Sequence, residues 1–268
     1  RPVISPDGQH IAVDIIGATS GVWIYDVFRQ ALSAFASSST SPIWTHDAGH
    51  LISTGRLSPF IRKAADNSGA EERLGSGFAA VPGSVTPDGK WLVFHGFDPA
   101  NPATGSDIWK MPLEATDQTQ VVVRTPDLDV SPRLSPDGKW LAYAVQSSQN
   151  THVYITPFPG PGPLLQVSTM GGRQPIWSRS GRELFYRREN KVMAVDIRTE
   201  PVLSAGSPRE LFEGRFENGV AGLAGYDVAA DGRFLMVQPL EPEQNVRDIN
   251  IVLNWTEELK RRAPSGTR

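Results

Sequence analysis

Two charged residues interrupt a mostly apolar position that recurs along this sequence. Arg133 lies in the stretch "SPRLSPDGK" and Asp227 lies in "GYDVAADGR". The same position of similar stretches carries Val3, Ile43, Ser84 and Ile176. A guanidinium and a carboxylate among apolar neighbours can hold a charged partner. Arg133 and Asp227 are therefore the first candidates for a binding function, with ordinary solvated polarity as the alternative.

Four further residues fall in loops or strand ends close to this position and could join the same site. They are Asp127, Asp129, Arg173 and Tyr226. With Arg133 and Asp227 they form a candidate ligand- or partner-binding site of six residues. Their side chains supply charge, hydrogen bonding and one aromatic ring, which suits a peptide or protein ligand and also a small molecule.

Residue patterns for catalysis are missing from the sequence. The five histidines lack metal-ligand spacing such as H-E-x-x-H, and there is no cysteine to act as a nucleophile or ligand. The serine–glycine loops "GATSG" and "GSGFAAVPG" lack the G-x-S-x-G spacing, and "MGGRQP" matches no phosphate loop. The sequence predicts no catalytic residue, no metal site and no cofactor.

A short phrase, written "SPDGKWLAY" in its clearest form, occurs six times in the chain. Its third letter falls at Asp7, Asp47, Asp88, Asp137, Ser180 and Asp231. The copies are 40, 41, 49, 43 and 51 residues apart, and an aliphatic residue always follows four positions after the third letter. A period of 40 to 50 residues indicates a propeller or a solenoid.

The repeated aspartates have two readings, a turn or a calcium ligand. Proline, aspartate and glycine in this order predict a tight hairpin, because proline presets φ, aspartate accepts backbone N–H groups and glycine adopts φ > 0. Calcium needs six to eight oxygens around one ion, whereas these carboxylates would be spread around a ring. The spacing favours the turn. Recurring tryptophan positions are likewise expected to pack between blades.

Four short apolar runs per copy predict four antiparallel strands, which make one propeller blade. We therefore predict an all-β fold, a six-bladed propeller over residues 1–254. The sixth copy lacks an obvious fourth strand. The stretch "TEELKRRAP" predicts a short C-terminal helix, so that 255–268 form a helix and tail. The chain starts inside a first strand, and we expect upstream residues of a longer protein to complete the ring.

Composition narrows the class of partner. Twenty-six basic and 29 acidic residues give a formal net charge of −3, so no overall positive field attracts nucleic acid. There is no apolar stretch of 18 residues and no signal peptide, so we expect no membrane insertion of this chain.

The motif [ST]-P-D-G-x-x-[LI]-[AV]-[YF], preceded by P-x-W, resembles the TolB-like propeller repeat, the "PD" relative of WD repeats. The last stretch is more specific. "PIWSRSGRELFYRRENKVMAVDI", "YDVAADGRFLMVQP" and "INIVLNWTEELKRRAP" are similar to the C-terminal sensor propeller of bacterial eukaryotic-like serine/threonine kinases. In the copies at 45–53 and 178–186, Ala48 and Ser180 depart from the pattern and affect the hairpins of blades two and five.

This resemblance implies a non-enzymatic sensory or protein-interaction domain of a larger, membrane-anchored bacterial receptor, located outside the cytoplasm in the periplasm. It implies no ligand identity and no catalytic residue. Two alternatives remain: an accessory propeller of a prolyl-oligopeptidase-like serine peptidase, and a propeller hydrolase or lyase acting at its channel mouth. The first requires an α/β-hydrolase domain in the full-length gene. The second requires a cluster of perturbed acidic or histidine residues from several blades.

Overall fold

Short antiparallel strands joined by tight turns account for nearly all regular structure in this protein. The computed structural model describes residues 1–17, 20–55, 59–75, 79–98, 100–219 and 222–239. All of its strands belong to one compact unit, Arg1–Gln238. A single 3₁₀ turn, Pro102–Thr104, is the one helical element in the described ranges.

Five sheets with four strand positions each follow one another along the chain, and each sheet is one blade. Blade 1 has β1 (Pro2–Ile4), β2 (His10–Ile15), β3 (Gly21–Asp26) and β4 (Ala31–Ser37); blade 2 has β5 (Thr40–Trp44), β6 (His50–Thr54), β7 (Phe60–Ala64) and β8 (Glu72–Leu74); blade 3 has β9 (Ala80–Val85), β10 (Trp91–Phe97), β11 (Ser106–Pro112) and β12 (Gln120–Val123); blade 4 has β13 (Leu128–Leu134), β14 (Trp140–Gln146), β15 (Thr151–Pro157) and β16 (Leu165–Gln166). Blade 5 has β17 (Arg173–Trp177), β18 (Glu183–Arg188) and β19 (Lys191–Arg198), and both β20 (Ser204–Ala205) and β21 (Arg209–Glu213) pair with β19 at the fourth position. Neighbouring strands in the chain are antiparallel neighbours in the sheet, as the apolar runs predict.

The prediction of six four-stranded blades is wrong, because the described residues form five. Within the described residues, the sixth copy of the repeat gives only a two-stranded sheet of β22 (Tyr226–Val228) and β23 (Phe234–Met236). Its expected third strand, at 249–255, lies outside the described residues. No α-helix occurs in the ranges that the structure describes, and the predicted helix and tail at 255–268 lie outside them.

The first strands of the copies are neighbours in a closed series: β1, β5, β9, β13, β17 and β22, which returns to β1. The two-stranded sheet of the sixth copy therefore lies between blade 5 and blade 1. Each first strand pairs on one side with the second strand of its own copy. The six first strands surround a central channel.

Blades 1 to 4 each begin with a hairpin whose turn is held by a hydroxyl and a carboxylate. In blade 3, Thr86 Oγ1 donates to Asp88 Oδ1 at 2.6 Å, and the same carboxylate accepts the Lys90 N–H at 3.1 Å. The Trp91 N–H donates to Thr86 Oγ1 at 3.0 Å and starts the next strand. The same bonds recur at Ser5–Asp7, Thr45–Asp47 and Ser135–Asp137. The repeated aspartate is a turn residue, as its spacing indicates.

The two copies that depart from the repeat motif also form this hairpin. In blade 5 the Ser180 hydroxyl replaces the carboxylate and lies 3.0 Å from the Ser178 hydroxyl. In blade 2 Ala48 occupies the position that is glycine in the other copies, with φ 57°, whereas Gly89 of blade 3 has φ 70°. Both values are in the left-handed region, which glycine adopts with little strain.

The hydrophobic core consists of a series of contacts between adjacent blades. Phe60 of blade 2 packs edge-on against Phe94 of blade 3, with 5.1 Å between ring centroids. Trp44 and Trp177, which share one repeat position, are 7% and 6% exposed and belong to the interfaces of blades 1 and 2 and of blades 4 and 5. The tryptophan repeat position therefore packs between blades, as predicted.

We expect Ala48→Gly to increase the free energy of unfolding by about 1 kcal/mol, because it relieves an alanine held at positive φ. The matched control is Gly89→Ala, since an added Cβ there meets nothing within 4 Å and only the backbone conformation is tested. This control should lower stability by a similar amount in urea unfolding. A loss of stability in Ala48→Gly would contradict the account of the turn.

Candidate functional site

A cavity of about 690 Å³ occupies one end of the channel, where the first strands enter their hairpin turns. All six members of the repeat position that contains Arg133 and Asp227 line it: Val3, Ile43, Ser84, Arg133, Ile176 and Asp227. The hairpin turns add Asp7, His46, Asp47 and Arg179. The cavity wall therefore carries groups of both charges on an apolar base.

Arg133 and Asp227 are half-buried on β13 and β22 and face this cavity together. Burial lowers the pKa of the Arg133 guanidinium, and the Asp227 carboxylate opposes that effect. The structure thus brings together the two residues that break the apolar repeat position. Arg133 Nη1 also donates to the Gly83 carbonyl oxygen of blade 3, so its charge is anchored to the neighbouring blade.

Side chains at the channel wall connect each first strand to its neighbour. Asp227 Oδ2 accepts the Ile4 N–H at 2.7 Å, which joins the sixth copy to blade 1. The Ser84 hydroxyl accepts the Leu134 N–H at 3.1 Å in the equivalent geometry between blades 3 and 4. Asp227 is therefore a structural residue of the ring as well as a charged wall residue of the cavity.

The two tryptophans of the repeat position each connect their own blade to the preceding blade in the chain. Trp44 Nε1 donates to the Val3 carbonyl oxygen at 2.9 Å, and Trp177 Nε1 donates to the Arg133 carbonyl oxygen at 3.1 Å. Their rings fill the blade interfaces while their edges reach the cavity. The cavity wall is consequently cross-linked by hydrogen bonds between blades, which makes it a fixed surface.

A bulge divides three of the first strands into two segments with different side-chain directions. Ser41, Ser131 and Gln174 occupy equivalent positions with φ of 59°, 58° and 58°, and the strand register shifts at each of them. In blade 2 the bulge turns the Ser41 N–H toward the Asp14 carboxylate of blade 1, at 2.8 and 3.0 Å. Residues before the bulge therefore do not follow the alternation of the residues after it.

Tyr226 of the candidate set does not line the cavity. It is 1% exposed, and its hydroxyl donates to the Gln174 carbonyl oxygen of blade 5 at 2.9 Å. Burial raises the pKa of this hydroxyl above its ordinary value. Tyr226 therefore holds the sixth copy against blade 5.

Asp127, Asp129 and Arg173 precede the bulge and lie apart from the cavity. Asp129 is fully buried, and its carboxylate accepts the Thr125 N–H at 2.8 Å and the Thr125 hydroxyl at 3.0 Å. Burial raises the pKa of Asp129 to about 6, and the charges of Asp107 and Asp127 act in the same direction. Arg173 instead donates to the Asn218 side-chain oxygen at 2.9 Å.

Sequence reasoning missed Arg1, whose guanidinium is buried inside the propeller. None of its three nitrogens has a hydrogen-bond partner in the described part of the chain. Burial lowers the pKa of this guanidinium, the Arg133 charge adds to the effect, and Asp14 and Asp227 oppose it. Arg1 stands at the same repeat position as the bulge residue Ser41 and is the one charged residue there. Comparing this position in all six copies of the repeat could therefore have identified Arg1.

The described residues contain no group of three or more histidine, cysteine, aspartate or glutamate side chains arranged to hold a metal ion. Among the same residues, no helix is long and apolar enough to cross a membrane.

Solved structures with the same architecture are numerous. The chain is similar to a putative TolB from Agrobacterium tumefaciens, with a TM-score of 0.67, 14% identity and coverage of 88% of this chain and 87% of that one. It is similar to an oligogalacturonate lyase in complex with manganese (TM-score 0.58, 14% identity, 85% and 67% covered). It is also similar to a puromycin-hydrolyzing peptidase from Mycobacterium tuberculosis (TM-score 0.60, 17% identity, 88% and 42% covered).

No family model and no curated protein sequence matches the chain. At identities below 20%, the structural likeness shows the fold alone. The chain has the fold of the TolB-like β-propellers, as the repeat motif predicts. The similarity to kinase-linked sensor propellers stays a prediction.

We expect Asp227→Ala to lower the free energy of unfolding by about 1 to 2 kcal/mol, because the Ile4 N–H loses its acceptor at the join between the sixth copy and blade 1. Asp227→Asn keeps an oxygen for this N–H and should cost much less. Urea unfolding of both variants measures the difference. Equal losses in the two variants would mean that the charge, not the hydrogen bond, stabilises the ring.

We expect Asp129→Asn to be more stable than the wild type above pH 6 and to lose that advantage in acid. The folded state keeps the Asp129 proton up to about pH 6, whereas the unfolded chain releases it near 3.8. The stabilising contribution is therefore complete below pH 3.8 and is lost as the pH rises through 6. The expected difference is about 1 to 3 kcal/mol in urea unfolding.

Asp88→Asn is the control with the opposite sign. The Thr86 hydroxyl lowers the pKa of the Asp88 carboxylate. Stability from Asp88 is therefore present above the pKa of the unfolded chain and is lost as the pH falls. This variant should be less stable than the wild type at neutral pH and should approach it in acid. The same pH profile for both variants would refute the assignment.

Proposed function

We propose that this propeller is a non-enzymatic binding domain that receives a protein or peptide segment in the cavity at the end of its channel. The observation that carries the proposal is that Arg133 and Asp227 lie together on a wall to which all six copies of the repeat contribute. A small molecule is the alternative ligand for the same site.

The size and lining of the cavity support this proposal. About 690 Å³ lies in the range of ligand pockets, and an apolar base with a few placed charges is their usual composition. Arg179 and Asp47 at the turns carry charges of both signs, so the rim suits a segment with both basic and acidic side chains. The hydrogen bonds between blades keep these groups in place, which limits the entropy lost on binding.

The wider setting is part of the same proposal. We propose that the domain belongs to a larger, membrane-anchored bacterial receptor linked to a serine/threonine kinase, and that it works in the periplasm. The support is the resemblance of the last third of the sequence to sensor propellers. The sequence of the complete gene tests this setting: a kinase domain and a membrane span agree with it, whereas an α/β-hydrolase domain with G-x-S-x-G contradicts it and favours the peptidase alternative.

A peptide selection tests the binding site. A random peptide library displayed on phage is selected against the wild-type chain, and the affinity of an enriched peptide is measured by fluorescence polarisation. We expect Arg133→Gln to weaken that peptide by about tenfold or more, because a charge-assisted hydrogen bond in a partly buried wall is lost. Arg179→Gln, at the rim, should have a smaller effect.

The matched control is Arg29→Gln, which removes the same charge from a side chain that is 80% exposed on blade 1. It should bind the peptide as the wild type does. Failure of the wild type to enrich any peptide would reject a peptide ligand and favour the small molecule. Equal affinity of the Arg133 and Arg29 variants for the peptide would reject the cavity as the binding site.

A further inference from the structure

Two arginines face each other across neighbouring strands of blade 5, away from the cavity. Arg173 begins β17, and its Cα partner on β18 is Arg187. The other end of β17, at Ile176 and Trp177, lines the cavity, so Arg173 lies roughly 10 Å away along the strand. Like charges placed directly opposite each other destabilise a sheet, so this pair requires a physical explanation.

Arg187 is the largest fully buried side chain in the described part of the chain, with 0% exposure. Its Nη2 donates to the Glu189 carbonyl oxygen at 3.0 Å. Its Nε and Nη1 are buried and have no hydrogen-bond partner among the described residues. The guanidinium carbon lies 5.8 Å from the centroid of the Phe216 ring, which belongs to the segment after β21.

Arg173 is half-buried beside it and is also incompletely bonded. Its Nη2 donates to Asn218, whereas its Nε is buried without a partner. Phe216 and Asn218 belong to the same segment, so this segment lies against both guanidinium groups. Three buried guanidinium nitrogens of the pair therefore have no hydrogen-bond partner within the part of the chain that the structure describes.

No carboxylate compensates this charge within the described ranges, where neither arginine makes an ion pair. Burial lowers the pKa of Arg187, the Tyr226 hydroxyl opposes that effect, and the charge of Arg173 adds to it. A buried cation without a counter-charge costs several kcal/mol, and proteins normally pair such groups or use them to bind an anion.

We propose that Arg173 and Arg187 form an oxyanion-binding site at the end of the channel opposite the cavity. Guanidinium groups present N–H donors in a planar array that fits phosphate and carboxylate oxygens, and two of them can share one anion. The site differs in place and chemistry from the cavity with its mixed charges. An anion bound here also relieves the repulsion between the two arginines.

The test compares inorganic phosphate, acetate and chloride at equal ionic strength, using the full chain and its thermal unfolding midpoint. We expect phosphate and acetate to raise the Tm of the wild type in a saturable way, and chloride to raise it less. A larger shift with phosphate indicates a phosphate-type ligand, and a larger shift with acetate indicates a carboxylate. Equal shifts with all three anions would overturn the proposal.

Arg187→Met removes the buried charge and keeps a long apolar side chain. We expect it to abolish the shift caused by the oxyanions and to leave the Tm in chloride at or above that of the wild type, because an uncompensated charge is gone. An arginine that is satisfied inside the fold would give a lower Tm instead. Arg29→Met, which removes an exposed charge, should keep the full shift with phosphate.

Arg173→Gln provides a second variant at a half-buried position, where the fold tolerates substitution more readily. Isothermal titration with phosphate should show an affinity at least about tenfold weaker than that of the wild type. Unchanged phosphate affinity in this variant, or an undiminished shift in Arg187→Met, would reject the site.

Discussion

The first strand of each blade has a partner strand on one side only, and its remaining main-chain groups must be satisfied at the channel wall. Unpaired strand edges expose N–H and carbonyl groups that otherwise bond to water or to another chain. Here neighbouring blades supply the partners: indole N–H groups of Trp44 and Trp177 at two joins, and the side chains of Ser84 and Asp227 at two others. The same hydrogen bonds join neighbouring blades and line the cavity, so the closure of the ring and the shape of the cavity wall depend on the same residues.

The same requirement explains residues that look irregular in the repeat. Gly83 stands where most copies have proline, and a Cβ there would lie 2.5 Å from the Pro132 carbonyl oxygen of the next blade. The close approach also lets Arg133 reach the Gly83 carbonyl oxygen. Departures from the repeat at adjacent blades are therefore coupled, because each one accommodates the neighbouring strand.

The repeated phrase predicted the fold well because each of its letters has a local role. The hairpin turns and the strands of each blade follow from short-range geometry, and they survive the changes at Ala48 and Ser180. The number of blades was wrong because the count rested on the turn motif, which specifies the first hairpin of a copy and not its third and fourth strands. The sixth copy carries the turn motif, but its described residues form only a three-residue ladder, Tyr226–Val228 with Phe234–Met236.

Only part of the candidate site could be predicted from the sequence, and the bulges in the first strands mark the limit. Arg133 follows the bulge of β13, and Asp227 lies on β22, whose described pairs show no register shift; both keep the alternation that the repeat implies, so they meet at the cavity. Asp129 and Arg173 precede the bulges of their own strands, and the register shift sends them to other surroundings. Bulge residues such as Ser131 and Gln174 share no sequence pattern that would reveal a bulge. The period-two alternation of a strand therefore does not predict the direction of the side chains that precede it.

The two groups of charged residues differ in how much of their hydrogen-bonding capacity the fold itself uses. Arg133 and Asp227 each bond to main-chain groups of the neighbouring copy, so the fold itself uses part of their hydrogen-bonding capacity. Arg187 uses Nη2 to donate to the Glu189 carbonyl oxygen, whereas its Nε and Nη1 are buried without a hydrogen-bond partner among the described residues. In a flexible loop an unsatisfied guanidinium would simply turn outward. Arg187 is instead fully buried on β18 beside the Phe216 ring, and its unused donors are the basis for the anion site proposed in blade 5.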